Sequence, residues 1–168
     1  IFSRVDEQDV KKVDLHDGIN STIILLNSTM PSKIRIEREF GELPMVECLA
    51  GKINQVFMNI INNAVHALAD HIETIKDPKI SIRTSATLDH IRIEIEDNGP
   101  GMPKYVKDKI FEPFFTTKAV GRGTGLGLSI VYSIIENHKG TLEVETEEGQ
   151  GTNFIITLPI YQSTQRYE

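Results

Sequence analysis

The sequence contains one cysteine, Cys48, and no tryptophan. A single cysteine excludes an internal disulfide and a thiolate zinc site, so the composition favours a reducing compartment, and we expect this domain to be cytoplasmic. No apolar run approaches the roughly 20 residues of a membrane-spanning helix, so any membrane anchor of the parent protein would lie outside this segment. The net charge of −6 lacks the basic excess of nucleic-acid-binding proteins, and we expect no nucleic-acid partner.

The 168 residues suit one globular domain. Residues 1–11 are polar after a short apolar start, so we predict the tail of a preceding helix and a linker. Residues 161–168 have no apolar pattern, so we predict a loose C-terminal tail after a domain at residues 12–160. The chain starts at Ile1 without an initiator methionine or a signal-like region, which indicates a piece of a longer protein.

Apolar residues at helical spacing predict three helices. The first follows His16 or Asp17, and Pro31 terminates it. The longest pattern covers Gly51–Ile75, with an apolar stripe that we expect to face the core: Ile53, Phe57, Ile60, Ala64 and Leu68. A polar stripe lies opposite, formed by Asn59, Asn63, His66 and Asp70. The third helix covers Leu126–Glu136; after it, we expect His138 to meet the helix dipole and Gly140 to form the C-cap.

Alternation of apolar and polar residues predicts the strands. They are Lys33–Phe40, Lys79–Thr87, His90–Glu96, Thr141–Thr146 and Thr152–Ile160, with shorter candidates at Val13–Leu15 and Leu43–Cys48. The last four of the longer segments form two predicted hairpins. Because the apolar side chains fall on one side, we predict an α+β fold: a two-layer α/β sandwich in which three helices cover a mixed, antiparallel-rich sheet of about five strands.

The glycine-rich stretch Asp97–Ser129 connects a predicted strand to the third helix. Connections of this length in compact domains are usually lids or binding loops. Between Asn98 and Arg122 the stretch has five basic and two acidic residues in an otherwise acidic chain. This local excess favours a small polyanion as ligand, although the same lysines also suit a solvated face. We therefore predict a nucleotide lid, with the backbone amides of Gly123–Leu126 facing a phosphate at the helix start.

The glycines near the end of this stretch alternate with other residues, so they match neither the dinucleotide fingerprint nor the P-loop. Four segments stand in order in the chain: NQVFMNIINNAVHAL (Asn54–Leu68), DNGPGM (Asp97–Met102), FEPFFTTK (Phe111–Lys118) and GRGTGLGLS (Gly121–Ser129). They resemble, in this order, the asparagine box, the first glycine box, the phenylalanine box and the second glycine box. These are the motifs of the ATP-binding catalytic domain of the sensor histidine kinases, a superfamily shared with DNA gyrase, the MutL proteins and the large heat-shock chaperone.

The resemblance covers about residues 12–160 and is greatest to the nitrogen-sensor and sporulation kinases. It implies a Bergerat-type fold with a long ATP lid, and a site for ATP and Mg²⁺. Asn63 matches the asparagine that ligates the metal, and Asn59, one turn earlier, is implied as a supporting residue. Asp97 matches the aspartate that accepts a hydrogen bond from the adenine amine. Gly99 and Gly101 are implied to let the backbone approach the base.

The lid residues of the family map onto the second half of the stretch. Lys118 and Arg122 are the implied phosphate-binding cations, and with Asn59 and Asn63, Lys118 completes the implied catalytic set. The implied phosphate-binding segment of the second glycine box is Gly123, Thr124, Gly125, Leu126 and Gly127. His66 stands where many members have a phosphate-contacting lysine, so the resemblance does not settle its role. We expect Phe111, Phe114 and Phe115 to anchor the lid by packing.

The resemblance implies a protein-histidine kinase domain of a two-component system. Where the hydrolysing branches have a glutamate, this chain has Asn59, which cannot act as a general base, so transfer to another protein is implied. His16 lies only 47 residues before Asn63, too close to be the acceptor, which we expect on a separate dimerisation domain. The implied partners are that domain, a response regulator receiver domain and a second copy in a homodimer. The alternatives are an ATP-binding sensor or scaffold module and an anti-sigma-type protein-serine kinase.

Overall fold

The computed structural model describes residues 9–115 and 127–162 of the chain. The described strands are β1 (Lys11–Val13), β2 (Arg35–Phe40), β3 (Val46–Cys48), β4 (Lys79–Ala86), β5 (His90–Asp97), β6 (Thr141–Glu147) and β7 (Gly151–Pro159). Five of them form a mixed sheet with the spatial order β2-β4-β5-β7-β6. A separate two-stranded sheet pairs β1 with β3.

The pairing confirms the predicted mixed, antiparallel-rich sheet. Both predicted hairpins, β4–β5 and β6–β7, are present, and β5 also pairs antiparallel with β7. The parallel pair is β2–β4, in which Arg35 lies opposite Lys79. The first short strand lies at Lys11–Val13 rather than Val13–Leu15, because Leu15 already begins a helix. Lys11, assigned to the linker from the sequence, is therefore part of β1.

The described helices are α1 (Leu15–Leu26), α2 (Ala50–Ala69), α3 (Lys104–Lys107) and α4 (Gly127–Asn137). Three of them correspond to the predicted helices, and α3 is a single additional turn. Helix α1 begins two residues earlier than expected, because the Asp14 side chain accepts a hydrogen bond from the His16 amide at 2.9 Å and caps the helix. Helix α2 ends at Ala69, and hydrogen-bonded turns follow up to Ile75. None of the described helices is long and apolar enough to cross a membrane.

The core lies between the helices and one face of the sheet. The predicted apolar stripe of α2 is completely buried, with Ile53, Phe57 and Ile60 at most 1% exposed. The sheet contributes its alternate side chains, which are Ile80, Ile82, Ile91, Ile93, Ile95, Leu142, Phe154, Ile156 and Leu158. Burial of these large side chains, each contributing on the order of 2 kcal/mol, fixes α2 across the sheet. This fixed helix carries the predicted polar stripe.

The end of α4 differs in detail from the prediction. The positive φ angle of 64° that closes the helix belongs to Lys139, and Gly140 follows it, donating to the Ile135 carbonyl at 3.0 Å. His138 is structural, as predicted, but its ring is neutral in this arrangement. Its Nε2 accepts from the Leu49 amide at 3.1 Å, so the hydrogen on Nδ1 donates to the Ile134 carbonyl at 2.8 Å. The ring therefore links the ends of α4 and β3 by hydrogen bonds rather than by charge.

Candidate functional site

The Asp97 carboxylate lies at the end of β5 and is only 5% exposed. The Gly99 amide donates to its Oδ1 at 2.8 Å. The pKa of Asp97 is raised to about 6, chiefly by burial; the backbone amides of Gly99 and Thr152 oppose this rise, and the charge of Glu96 adds to it. The result is a buried acceptor held by a backbone donor, which suits recognition of a neutral N–H group.

The loop after Asp97 packs directly on α2. A methyl group at Gly99 would lie 3.4 Å from the Ala67 Cβ and 2.9 Å from the Asp97 Oδ1. A larger side chain there would push the loop away from both groups. Gly99 therefore brings the carboxylate to the side of α2 on which Ala67 lies, one helical turn beyond Asn63.

The two asparagines predicted for the phosphate end lie on the same side of α2. Asn59 and Asn63 are both half-buried. The Asn59 Nδ2 donates to the carbonyl of Gly127, the first residue of α4, at 3.2 Å. Within residues 9–115 and 127–162, no hydrogen bond of the Asn63 side chain is found, so its amide oxygen is available to a ligand. Asn59 thus joins α2 to the predicted phosphate-binding helix start.

Helix α2 sets the order of these groups. Ala67, Asn63 and Asn59 are four residues apart, so they lie along one line that spans about 12 Å. Gly99, whose amide binds Asp97, lies against the Ala67 end, and Gly127 contacts the Asn59 end. The predicted base-binding, metal-binding and phosphate-binding residues therefore occur in that order along one helix face.

The loop carrying Gly99 and Gly101 rests on the β6–β7 hairpin. Gly101 has a φ angle of 69°, and a side chain there would overlap the Glu147 carbonyl. On the hairpin side, Gly151 has a φ angle of 86° and faces the Asp97 carbonyl in the same way. Sequence reasoning treated residues 147–151 as an ordinary hairpin turn and missed this contact. The register of β5 and β7 indicates this contact, because it places Thr152, the residue after Gly151, opposite Asp97.

Part of the predicted lid lies within the described residues. Val106 and Ile110 are buried, Phe111 stacks on Tyr132 with ring centres 5.5 Å apart, and Phe115 packs against the core. Phe114 does not anchor the lid as expected, since it is 73% exposed. Its φ angle of 68° is unusual for a side chain of this size. The predicted residues Lys118, Arg122, Gly123, Thr124, Gly125 and Leu126 lie outside the described residues.

Several known proteins resemble this chain. Sporulation kinase E of Bacillus subtilis is 38% identical over 152 residues, which cover 88% of this chain and 19% of the relative. Sensory histidine kinase/phosphatase NtrB of Rhizobium leguminosarum is 32% identical over 172 residues, which cover 95% of this chain and 44% of the relative. The chain thus spans less than half the length of these curated relatives. They belong to the two branches that the sequence motifs indicated.

The solved structures that match include the nucleotide-free catalytic domain of histidine kinase ThkA. It has a TM-score of 0.77 and 32% sequence identity, and the match covers 91% of this chain and 99% of that domain. The predicted fold class is thereby confirmed. The family model described as "Histidine kinase-, DNA gyrase B-, and HSP90-like ATPase" matches residues 49–162, which include α2, the Asp97 loop and the β6–β7 hairpin. The chain therefore belongs to the family of histidine kinase-, DNA gyrase B- and HSP90-like ATPases.

Proposed function

We propose that this chain is the ATP-binding catalytic domain of a two-component sensor histidine kinase, and that it transfers the γ-phosphoryl group of ATP to a histidine on a separate dimerisation domain. The order of Asp97, Asn63 and the Asn59–Gly127 contact along α2 carries the proposal. It gives a nucleotide one direction along the helix, with the base at Asp97 and the phosphates at the start of α4. The curated relatives are named as sensor and sporulation kinases.

At the base end, Asp97 selects adenine. Its carboxylate accepts a hydrogen bond from the exocyclic amine of adenine, whereas guanine presents a carbonyl oxygen at the same position. An acceptor facing an acceptor in a buried site leaves both groups unpaired, which costs about 1–3 kcal/mol or more for a charged group. The Gly99 amide holds the carboxylate in place for this choice.

At the phosphate end, the residues present fit Mg²⁺. Asn63 offers an amide oxygen, a hard ligand, and Mg²⁺ commonly takes one or two protein ligands and completes its shell with water and phosphates. Among the described residues, no three His, Cys, Asp or Glu side chains form a metal cage. Bound Mg²⁺ would neutralise phosphate charge. Lys118, Arg122 and the segment from Gly123 to Gly127 are the further phosphate contacts that we propose.

Asn59 favours transfer over hydrolysis. Its amide donates to Gly127 and cannot take a proton from water, so this position offers no general base. Phosphoryl transfer depends mainly on positioning and charge neutralisation, which the helix face and the lid cations supply. The attacking nitrogen must then come from another domain. His16 does not provide it, because its ring stacks on Phe40 with centres 4.1 Å apart and its Nε2 lies 2.8 Å from the Thr84 hydroxyl.

We propose three partners beyond ATP. They are the histidine-bearing dimerisation domain, a second copy of the whole protein in a homodimer, and the receiver domain of a response regulator. Histidine kinase ThkA supports the receiver domain as a partner. ThkA is 29% identical to this chain in a structure that was solved in complex with a response regulator protein.

A reconstitution experiment tests the proposal. The chain is mixed with the separately produced dimerisation hairpin of its parent protein, Mg²⁺ and γ-labelled ATP. We expect acid-labile label on the hairpin histidine and none on this chain, including a His16→Ala variant as a control. Tight ATP binding without label on the hairpin would instead indicate a sensor module, and acid-stable label on a partner serine would indicate a protein-serine kinase.

A further inference from the structure

The loop after Asp97 is held by two hydrogen bonds to the β6–β7 hairpin. The Met102 amide donates to the Thr146 Oγ1 at 3.0 Å, and the Gly149 amide donates to the Pro100 carbonyl at 2.7 Å. The first uses a side chain and the second uses only backbone. Of the two, therefore, only the bond to Thr146 can be removed by changing a side chain.

The Thr146 hydroxyl has a complete set of partners. It accepts from Met102, and its own hydrogen donates to the Gly151 carbonyl at 3.0 Å. The Thr152 hydroxyl lies 2.9 Å away and can donate to the remaining lone pair. One oxygen thus connects the loop, the hairpin turn and the residue that faces Asp97 across the strand pair.

This position matters because Thr146 holds the loop that carries the backbone donor of Asp97. Gly99, whose amide donates to the carboxylate, belongs to this loop, whereas Asp97 itself is paired with Thr152 of β7. If the loop shifts relative to the hairpin, the Gly99 amide no longer meets the carboxylate. If the binding-competent arrangement is populated only part of the time, the apparent affinity for the nucleotide falls in proportion to that population.

We propose that Thr146 is a positioning residue that sets the preference for adenine, acting through the Gly99 amide that holds Asp97. The inference rests on the proposed function, in which Asp97 accepts a hydrogen bond from the adenine amine. Thr146 itself lies on the hairpin and need not contact the nucleotide. Serine keeps the hydroxyl, whereas valine keeps the shape of threonine and removes the acceptor, so the two substitutions separate hydrogen bonding from packing.

The test compares Thr146→Val, Thr146→Ser and a control, Thr141→Val, on the exposed side of the same strand. Titration of the whole chain with Mg-ATP and with Mg-GTP gives the affinity ratio. We expect Thr146→Val to weaken ATP binding by about five- to tenfold and to lower the ATP-to-GTP ratio, because the bond from Met102, one of the three that valine loses, is the one that holds the loop. Thr146→Ser should stay within about twofold of the wild type, and Thr141→Val should be unchanged.

Loss of stability alone would reduce binding of both nucleotides and leave their ratio unchanged, an outcome that would overturn the inference. An unchanged ATP affinity in Thr146→Val would do the same. If Thr146→Val does not fold, amide hydrogen exchange of the wild type tests the inference instead. The Met102 amide must then be protected from exchange in the folded, nucleotide-free protein, and an unprotected amide would overturn the inference. A wild type that binds no ATP would instead contradict the proposed function, whatever the behaviour of the variants.

Discussion

The Asn59 Nδ2 atom lies 3.2 Å from the carbonyl oxygen of Gly127, so the middle of α2 is bonded to the first residue of α4. The two helices come from motifs that are more than 60 residues apart in the sequence. This single contact fixes the start of α4 one helical turn from Asn63. It therefore sets the distance between the proposed metal ligand and the proposed phosphate site.

Replacing this donor by an acceptor should weaken the junction. In Asn59→Asp, a carboxylate oxygen would face the Gly127 carbonyl, so we expect the free energy of unfolding to fall by about 1–3 kcal/mol. Urea denaturation without nucleotide measures this loss of stability. Asn62→Asp, a half-buried neighbour on the same helix, is the control and should cost less than half as much; equal losses would show that the Gly127 contact contributes nothing.

Removing the proposed metal ligand should affect binding only when magnesium is present. We expect Asn63→Ala to lower Mg-ATP affinity by at least about tenfold, while binding of ATP in excess EDTA stays within about twofold of the wild type. Titration calorimetry with and without Mg²⁺ checks this. The adjacent Asn62→Ala is the matched control. A loss for Asn63→Ala that is equally large in EDTA would argue for a direct contact with the nucleotide instead.

The carboxylate of Asp97 should be needed for adenine recognition. In Asp97→Asn, one amide oxygen can still accept from Gly99, but the amide nitrogen then faces the donor amine of adenine. We expect ATP affinity to fall by more than about tenfold at pH 7.5, because a hydrogen bond to a charged group is lost. Equilibrium binding of ATP measures the loss, and unchanged ATP affinity would remove Asp97 from the site.

Asp97 should also make stability depend on pH. Its pKa is about 6 in the folded protein and 3.8 in its ordinary state, so the folded protein binds more protons between these values. Stability of the nucleotide-free protein should therefore decrease as pH rises from about 4 to about 7, by on the order of 3 kcal/mol from this group. The difference between the wild type and Asp97→Asn in urea denaturation across this range isolates the contribution, and parallel pH curves would contradict it.

Two glycines with positive φ allow steric contact to be separated from backbone strain. Gly101→Ala should cost more than about 3 kcal/mol, because its Cβ would overlap the Glu147 carbonyl in addition to the strain of its φ angle of 69°. Gly149→Ala, with a φ angle of 81° and nothing within 4 Å, should cost only about 1–2 kcal/mol. Thermal and urea unfolding of both variants checks this order. Equal losses of stability would show that the loop moves away from the hairpin and so relieves the overlap.

Much of this arrangement could be predicted from the sequence because it depends on local periodicity. The apolar stripe of α2 predicted which face is buried and so placed Asn59 and Asn63 on the same side. The strand alternation similarly predicted both hairpins. Motif resemblance then identified Asp97, Gly99 and Gly101 at the end of a strand.

Other features depend on contacts between distant segments and left no local pattern. Thr146 looked like one polar residue of an alternating strand, and only the fold brings its hydroxyl to the Met102 amide. The exposed Phe114 likewise shares its motif with two packed phenylalanines, and the sequence does not distinguish the three. Lys139 adopts the conformation expected for the following glycine, because Gly140 lies against the Thr157 carbonyl, where a side chain would overlap.

The sheet order also affects how the protein is made. Strand β7 is the last of the described strands in the sequence, yet it lies between β5 and β6 and places Thr152 opposite Asp97. During synthesis, β5 therefore has no partner on this side until about residue 159 has left the ribosome. A nascent chain stopped before β7 would expose the apolar edge of a half-built sheet and bind no nucleotide. We therefore expect ATP binding to arise only once β7 has been made, with the same strand that completes the sheet.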